Sequence, residues 1–234
     1  MSYNNNGNSY ELNNYGGDDF VSFMNEIQDI NNSLDQYGNL VNLISNKQRS
    51  LLQEADLNEE DSDYNIRQVD ALVAEAQLLQ LELKSRIKNV QQQAVSSHQK
   101  DKQDQAEAVR KRFLELIQEY RMIELNNREQ TKVQAERQYR IVKPDASEEE
   151  VKIAVEEGDS SQYFQQALMQ SNRRGEARTV LNEVQARHRE LLKLEKTMAE
   201  LTQLFHDMEE LVIEQDQAIQ QIDEQVGNAQ HDIE

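Results

Sequence analysis

The feature that most constrains this chain is an apolar stripe near its C-terminal end, in which the steps between successive positions alternate strictly between three and four residues. The stripe consists of Leu191, Leu194, Met198, Leu201, Phe205, Met208, Val212, Gln215, Ile219, Ile222, Val226, Ala229 and Ile233. A heptad pattern of this length is typical of a long helix that packs into a bundle of helices. At ~1.5 Å per residue the helix would span roughly 65 Å, too long for a compact domain. Such a stripe would aggregate if it were left exposed to water, so we expect partner helices to cover it.

One position of the stripe, Gln215, carries an amide in place of an apolar side chain. A buried amide destabilises a seam unless its polar atoms find partners, but a single polar core residue also fixes register and orientation. We interpret Gln215 as the residue that fixes the register of the bundle, where it meets polar groups of other helices in one plane. The alternative is a tolerated substitution in a solvent-accessible seam. Residues 191–234 hold eleven acidic residues and two lysines. Four such helices would repel one another, which favours different, less acidic chains as partners.

Three shorter amphipathic stripes come before the long one and predict helices over about residues 19–53, 63–95 and 103–142. The 234 residues include one proline and seven glycines, too few breakers for the many turns of a β-sandwich or barrel. Polar connections at residues 54–63 and 91–105 separate the helices, which favours an up-down-up arrangement. The predicted core of this bundle is Phe20, Phe23, Ile27, Ile30, Leu34, Val69, Val73, Leu83, Ile87, Val109, Phe113, Leu116, Tyr120 and Ile123.

The predicted fold class is therefore all-α, with an antiparallel three-helix bundle, linker helices and a long C-terminal helix that is able to pack on the bundle as a fourth helix. Residues 1–17, rich in asparagine, tyrosine and glycine, predict a disordered tail. Pro144 ends the third helix, and Ser147 with Glu150 forms the spacing of a capping box at the start of a short helix. Residues 163–168 predict another short helix, and residues 172–177 a hinge. The predicted domains are thus 1–17, 18–142, a linker at 143–176, and 177–234.

Composition excludes several classes of function. The formal net charge of −19 is a poor match for nucleic acid or for an anionic membrane surface. Without cysteine there are no disulfides or thiolate metal sites, and the four histidines lie far apart without carboxylates at metal-ligand spacing. Neither a glycine-rich phosphate loop nor a nucleophile elbow is present, so we predict no catalytic site, no metal and no cofactor. The N-terminus lacks the pattern of a signal peptide, and no run approaches the ~18 apolar residues of a membrane span, so we expect a soluble cytosolic chain.

Four stretches carry a resemblance to a known family. Residues 185–226 read QARHRELLKLEKTMAELTQLFHDMEELVIEQDQAIQQIDEQV, which resembles the SNARE motif of syntaxins, most closely that of the fungal plasma-membrane syntaxins of the Sso type. Upstream, RKRFLELIQEYR, ERQYRIVKPDASEEEV and NRRGEARTVLNEVQARH resemble the third regulatory helix and the linker of the same family. The resemblance extends over roughly residues 18–234.

The resemblance implies a role for each position of the stripe. Gln215 corresponds to the central polar layer of the Qa-SNAREs, where an arginine of a vesicle SNARE and two further glutamines meet it. The donors of one guanidinium would satisfy three amide oxygens in a desolvated plane. Leu191 to Val212 correspond to the seven layers before this glutamine, and Ile219 to Ile233 to five layers after it. The first three helices resemble the Habc domain, which folds back on the SNARE helix in a closed, autoinhibited state.

The resemblance also implies partners and a location. The partners are a vesicle synaptobrevin-type R-SNARE, a two-motif plasma-membrane Qb/Qc SNARE, an SM-type regulator, and a SNAP-type adaptor with its disassembly ATPase. The family continues past the fifth layer with three more layers and a membrane anchor, so we expect this chain to be a soluble fragment of a protein on the cytoplasmic face of the plasma membrane. The resulting hypothesis is a target-membrane SNARE for exocytosis. A structural coiled-coil adaptor or spectrin-like scaffold is the alternative, and it would show self-association of the C-terminal helix.

Overall fold

A computed structural model describes residues 15–53, 59–156 and 174–231, with the side chains of the last helix described as far as Leu211. These ranges contain five helices and no strand: α1 Tyr15–Gln53, α2 Glu59–Ser97, α3 Lys100–Val142, α4 Glu148–Glu156 and α5 Arg174–His231. The predicted all-α fold class is confirmed. The predicted tail covers residues 1–17; residues 1–14 lie outside the described residues, whereas residues 15–17 are helical and begin α1, contrary to the prediction. The short helix predicted at 163–168 also lies outside the described residues.

Contacts between side chains fix the directions of the four long helices. Lys47 of α1 contacts Gln68 of α2 at 2.8 Å, and Arg86 of α2 contacts Glu26 of α1 at 2.8 Å, so α1 and α2 are antiparallel. Lys102 at the start of α3 pairs with Asp19 at the start of α1, so α1 and α3 run the same way. The same reasoning makes α5 parallel to α2 and antiparallel to α3, since its residue numbers rise with those of α2 and fall with those of α3. The result is an up-down-up-down bundle of four helices.

At one end of this bundle large apolar side chains of all four long helices fill the interior, and we call this region the apolar half. It extends from Ala106 to Tyr120 on α3 and from Leu201 to Met208 on α5. On α3 they follow one face, because steps of three and four residues bring side chains to the same side of a helix. The rings of Tyr37 and Phe113 meet edge to face with centroids 5.8 Å apart, and Tyr37 also meets Tyr120. From α5 the buried members of this cluster are Leu201, Leu204 and Met208.

The face of α3 changes character past Tyr120. Its next buried residues are Glu124, Asn127 and Thr131, and together with Gln48 of α1 they form what we call the polar layer. The Gln48 amide donates to the Glu124 carboxylate at 3.2 Å. The amide nitrogen of Asn127 and the hydroxyl of Thr131 have no hydrogen-bond partner within the described chain. The interior at this level is thus imperfectly satisfied, which weakens packing.

Beyond the polar layer a second, smaller cluster joins α3, α4 and α5. Its buried members are Ala135, Tyr139, Ala146, Val151, Ala154, Val155, Leu181, Val184 and Leu191. The amide of Glu150 donates to the hydroxyl of Ser147 at 3.2 Å, which caps α4 at its N-terminus. We call the polar layer and this cluster together the polar half.

Parts of the two predicted connections are helical in the structure. The second helix begins at Glu59, inside the acidic run that was expected to be a loop, because acidic residues in a first turn stabilise the positive end of the helix dipole. Between α2 and α3 only His98 and Gln99 lie outside helices, and His98 has a φ of 54°. Polar residues on both sides remain helical because Ala94 and Lys102 are buried among the neighbouring helices. Gly175 of the predicted hinge lies in the first turn of α5.

Candidate functional site

The candidate site is the face of α5 that carries the heptad stripe, and in this structure α2 and α3 cover part of it. Of the layers whose side chains are described, Leu191, Leu194, Leu201 and Met208 are buried. Leu201 retains 1% of its exposure and Met208 none. These side chains therefore occupy an intramolecular core that partner helices would otherwise provide.

Two other layers of the stripe are only half-buried, namely Met198 and Phe205. The residues just before them, Thr197 and Leu204, are buried to 8% and 6% exposure. Neither residue belongs to the predicted stripe, although the sequence carries a signal for Leu204. Starting from Leu194, a second run with alternating steps passes through Leu201, Leu204, Met208 and Leu211, so that two apolar faces overlap on this helix.

Polar contacts join α5 to α2 at regular intervals of seven residues on both helices. Lys193 donates to Asp70 at 2.7 Å, Gln77 donates to Glu200 at 2.6 Å, and Lys84 donates to Asp207 at 2.5 Å. The Lys84 ammonium holds the pKa of the Asp207 carboxyl below its usual range. Equal steps on two helices show that they keep a constant register over four turns.

Contacts with α3 fix the other side of α5. Arg128 donates to Glu195 at 2.8 Å near the polar layer. Arg110, which is buried, donates to the main-chain carbonyl of Met208 at 3.0 Å, while Glu107 holds the rest of its guanidinium in a two-point pair. This pairing also lowers the pKa of the Glu107 carboxyl. A buried cation was not predicted, since Arg110 is not one of the apolar residues that mark the α3 stripe.

The first turns of α5 are tied to α4. The ring nitrogen Nδ1 of His188 lies 2.7 Å from the carbonyl oxygen of Val155. Lys132 of α3 forms a 2.5 Å ion pair with Glu156 at the end of α4, and this pairing lowers the pKa of the Glu156 carboxyl. The linker helix thus braces α5 against α3 below the polar layer.

Glu124 is the buried acid at the centre of the polar layer. Its side chain is almost fully inaccessible, and burial raises its pKa to about 7. The Gln48 amide and the Tyr120 hydroxyl favour its charged form, whereas Glu190 of α5 disfavours it. The interior of the bundle therefore contains, near the charge of Glu190 on α5, a carboxyl group that titrates near neutral pH.

Several predicted site residues cannot be placed. The side chains of Val212, Gln215, Ile219, Ile222, Val226 and Ala229 lie outside the described part of α5, and Ile233 lies beyond its backbone. The predicted core residues of the three-helix bundle are all inaccessible or half-buried; the half-buried ones are Phe20, Val69, Val73, Leu116 and Ile123.

The described residues contain neither a metal-binding cluster nor a membrane-spanning helix. No group of three or more histidines, cysteines or carboxylates there could hold a metal ion. No helix in these ranges is both long and apolar enough to cross a bilayer.

Comparison with known proteins assigns the family. The family profile described as "Syntaxin" matches residues 17–168, and the profile described as "SNARE domain" matches residues 182–234. The chain is 70% identical to "Protein transport protein SSO2" of Candida albicans, over 97% of this chain and 79% of that protein. It is 51% identical to "Protein SSO1" of Saccharomyces cerevisiae, over 93% and 74%, and 34% identical to "Syntaxin-like protein psy1" of Schizosaccharomyces pombe, over 86% and 71%.

The matches cover both the helical bundle and the stripe helix α5. The syntaxin profile spans more than half of the chain and ends at residue 168, and the SNARE profile begins at residue 182, within α5. The family consists of non-enzymatic transport proteins that work with other SNAREs. The chain belongs to the syntaxin family of SNARE proteins and is a target-membrane SNARE of vesicle transport.

Proposed function

We propose that this chain is a Qa-SNARE of exocytosis at the cytoplasmic face of the plasma membrane. In this proposal α5 assembles with a vesicle R-SNARE and with the Qb and Qc motifs of a plasma-membrane SNARE into a parallel four-helix bundle. Gln215 supplies the glutamine of its central polar layer. Each large apolar layer that becomes buried contributes about 1.5–3 kcal/mol, and successive layers draw the two membranes together.

The observation that carries the proposal is the burial of Leu191, Leu194, Leu201 and Met208 within the closed bundle. Leu201 and Met208 join the apolar cluster formed with α1, α2 and α3, and Leu191 joins the cluster formed with α3 and α4. These are the same side chains that the assembled bundle needs for its own layers. One set of atoms cannot be buried against two partners at once, so docking and assembly exclude each other. We propose that residues 18–142 form a Habc domain that restrains assembly by holding α5 in this closed arrangement.

Further partners follow from the same proposal. A closed four-helix bundle offers a surface to an SM-type regulator, and the assembled complex is a substrate for a SNAP-type adaptor and a disassembly ATPase. The remaining layers of the proposed site are Met198, Phe205, Val212, Ile219, Ile222, Val226, Ala229 and Ile233. The division into a tail at 1–17, the Habc domain, a linker at 143–176 and a SNARE motif at 177–234 belongs to this proposal.

Mixing experiments test the assembly. The chain is combined with the soluble motifs of an R-SNARE and a Qb/Qc SNARE, and helicity is followed by circular dichroism. We expect a gain of helix and a sharply melting ternary complex, and Gln215→Leu should weaken the choice of register among partners. If helicity does not rise on mixing, the assembly proposal is wrong. Self-association of α5 instead would favour the scaffold alternative.

A cross-link tests the closed state in the whole chain. Since the sequence contains no cysteine, Asp70→Cys and Lys193→Cys introduce a unique pair at a contact between α2 and α5. A short bismaleimide should join them and stop ternary assembly, while the single-cysteine variants treated with the same reagent should assemble normally. Unimpeded assembly of the cross-linked chain would remove autoinhibition from the proposal.

A further inference from the structure

The face by which α5 docks differs from the face that the SNARE stripe marks. We infer that α5 carries two overlapping seams, one for assembly and one that belongs to the closed molecule alone. This inference rests on the proposed function, because it assigns different faces of α5 to the closed and the assembled states. The assembly seam over the described stretch is Leu194, Met198, Leu201, Phe205 and Met208. The docking seam is Leu194, Thr197, Leu201, Leu204 and Met208.

Burial separates the two seams. Leu204 is 6% exposed and belongs to the same apolar cluster as Leu201, whereas its neighbour Phe205 is only half-buried at the edge of that cluster. Thr197 is also buried, but Met198 is half-buried and lines an open cavity of about 300 Å³ between α3 and α5. Exposed Met122 and Leu125 of α3 form the opposite wall of this cavity. The docked helix therefore leaves one side of its assembly seam open to solvent.

The polar contacts with α2 support the same assignment independently. Lys193, Glu200 and Asp207 contact α2, and they recur every seven residues at a position one residue before the layers Leu194, Leu201 and Met208. In a bundle centred on the assembly seam this position lies away from the partner helices. Here it faces α2, so the whole helix is turned. At 100° per residue, replacing Met198 and Phe205 by their preceding neighbours turns the buried face by roughly 50°.

The rotation has a consequence for regulation. Leu194, Leu201 and Met208 belong to both seams, so α5 must leave α3 before it can assemble. Leu204 contributes burial to the closed state but lies beside the seam of the assembled bundle. Substitutions at Leu204 and Thr197 can therefore change how strongly the closed state slows assembly, without changing the layers that partner helices contact.

Matched substitutions in the full chain separate the seams. Leu204→Gln exchanges a buried leucine of the docking seam, Leu192→Gln exchanges an exposed leucine of the same helix, and Leu201→Gln exchanges a shared leucine. Each variant is measured for its rate of ternary assembly, for the melting temperature of the assembled complex, and for the yield of the Asp70/Lys193 cysteine cross-link. Circular dichroism of each variant alone checks that the helical bundle is retained.

We expect Leu204→Gln to speed assembly roughly tenfold, in line with the loss of one buried leucine, and to lower the cross-link yield while leaving complex melting unchanged. Leu192→Gln should change none of the three, and Leu201→Gln should speed assembly and lower complex melting. A Phe205→Ala variant should lower complex melting with a smaller gain in rate.

Two results would overturn the assignment, and a third separates it from the proposal on which it rests. If Leu204→Gln lowers complex melting as much as Leu201→Gln, Leu204 belongs to the assembly seam. If it behaves like Leu192→Gln, there is no docking seam. If the cross-linked chain assembles freely, autoinhibition itself fails and the docking seam falls with it, whereas blocked assembly with an inert Leu204→Gln removes the docking seam only.

Discussion

The two halves of the bundle are built by the same helices from different side chains. In the apolar half, α3 presents Phe113, Ile117 and Tyr120 to the interior of the bundle, and all three are fully buried. In the polar half the same face of α3 presents Glu124, Asn127 and Thr131, followed by Ala135. Large apolar groups bind by the area they remove from water, whereas buried polar groups contribute only when every donor and acceptor is paired.

This difference indicates where the closed molecule is weakest. In the apolar half Arg110 also holds the main chain of α5 at Met208, which adds a charge-assisted hydrogen bond to the apolar contacts. In the polar half, docking depends on an ionisable carboxyl group, unpaired polar atoms and the second, smaller apolar cluster with α4. We therefore expect α5 to be held mainly by the apolar half, and local opening to begin at the polar layer.

The largest effect should come from emptying the apolar half. Phe113→Ala removes a fully buried ring that packs on Tyr37, and we expect a loss of about 3–5 kcal/mol of unfolding free energy. Urea denaturation followed by circular dichroism measures it. Leu114→Ala, at a half-buried position one residue away, is the matched control and should cost less. Equal costs would contradict a core centred on Phe113.

A smaller effect should come from titrating the polar half. Because the pKa of Glu124 is raised to about 7 in the folded state, its contribution to stability is fully present below the ordinary glutamate pKa and is lost as pH rises through 7. We expect the unfolding free energy to fall on the order of 1–3 kcal/mol between pH 5 and pH 8 from this group. Glu124→Gln should flatten this dependence, and Glu119→Gln on the exposed face should not. Parallel profiles for all three proteins would contradict a titrating polar layer.

Replacing an unpaired buried hydroxyl of the polar half should raise the unfolding free energy, whereas the preceding changes lower it. Thr131→Val keeps the shape of the side chain and removes a polar atom that has no partner in the described chain. We expect a gain of about 1 kcal/mol in unfolding free energy and slower ternary assembly, because the closed state becomes tighter. Thr202→Val on the exposed side of α5 serves as the control. Faster assembly of Thr131→Val would contradict a weak polar half.

The smallest effect is expected at the polar rim between α2 and α5. Lys84→Met breaks the pair with Asp207, whose side chains are 39% and 25% exposed, and solvent screens such pairs. We expect a loss of about 0.2–1 kcal/mol in unfolding free energy, which should shrink as salt is added. Lys88→Met, a nearby exposed lysine, controls for the change in net charge. An effect as large as that of Phe113→Ala would show that charge rather than apolar area holds α5.

Much of the architecture could be predicted from periodicity. Ile27, Phe113 and Leu201 each belong to a series of apolar residues spaced by three and four positions along its own helix. The burial of such a stripe is nearly independent of which element covers it. The connection at residues 91–105 was less predictable, because polar residues end one helix and begin the next with only two residues between them. Local composition cannot distinguish a polar helical turn from a polar loop when the neighbouring turns are buried.

The face by which α5 docks on the bundle was predictable only in part. The layers at Leu194, Leu201 and Met208 are buried. The sequence did not indicate that Leu204 is buried more deeply than Phe205, because both side chains lie in apolar runs. The buried roles of Arg110 and Glu124 gave no signal, since isolated charged residues on a helix are usually solvated. Their burial depends on where α5 lies across α3.

The sequence by itself determined that this chain is a set of long amphipathic helices and that its last helix carries a continuous seam with one amide. Those properties follow from side-chain spacing along a helix, and no long-range contact can change them. Only the tertiary structure decided which face of α5 is covered and that a carboxyl group lies inside the interface with α3. The angle at which two helices meet depends on side chains from both, so neither helix alone encodes it.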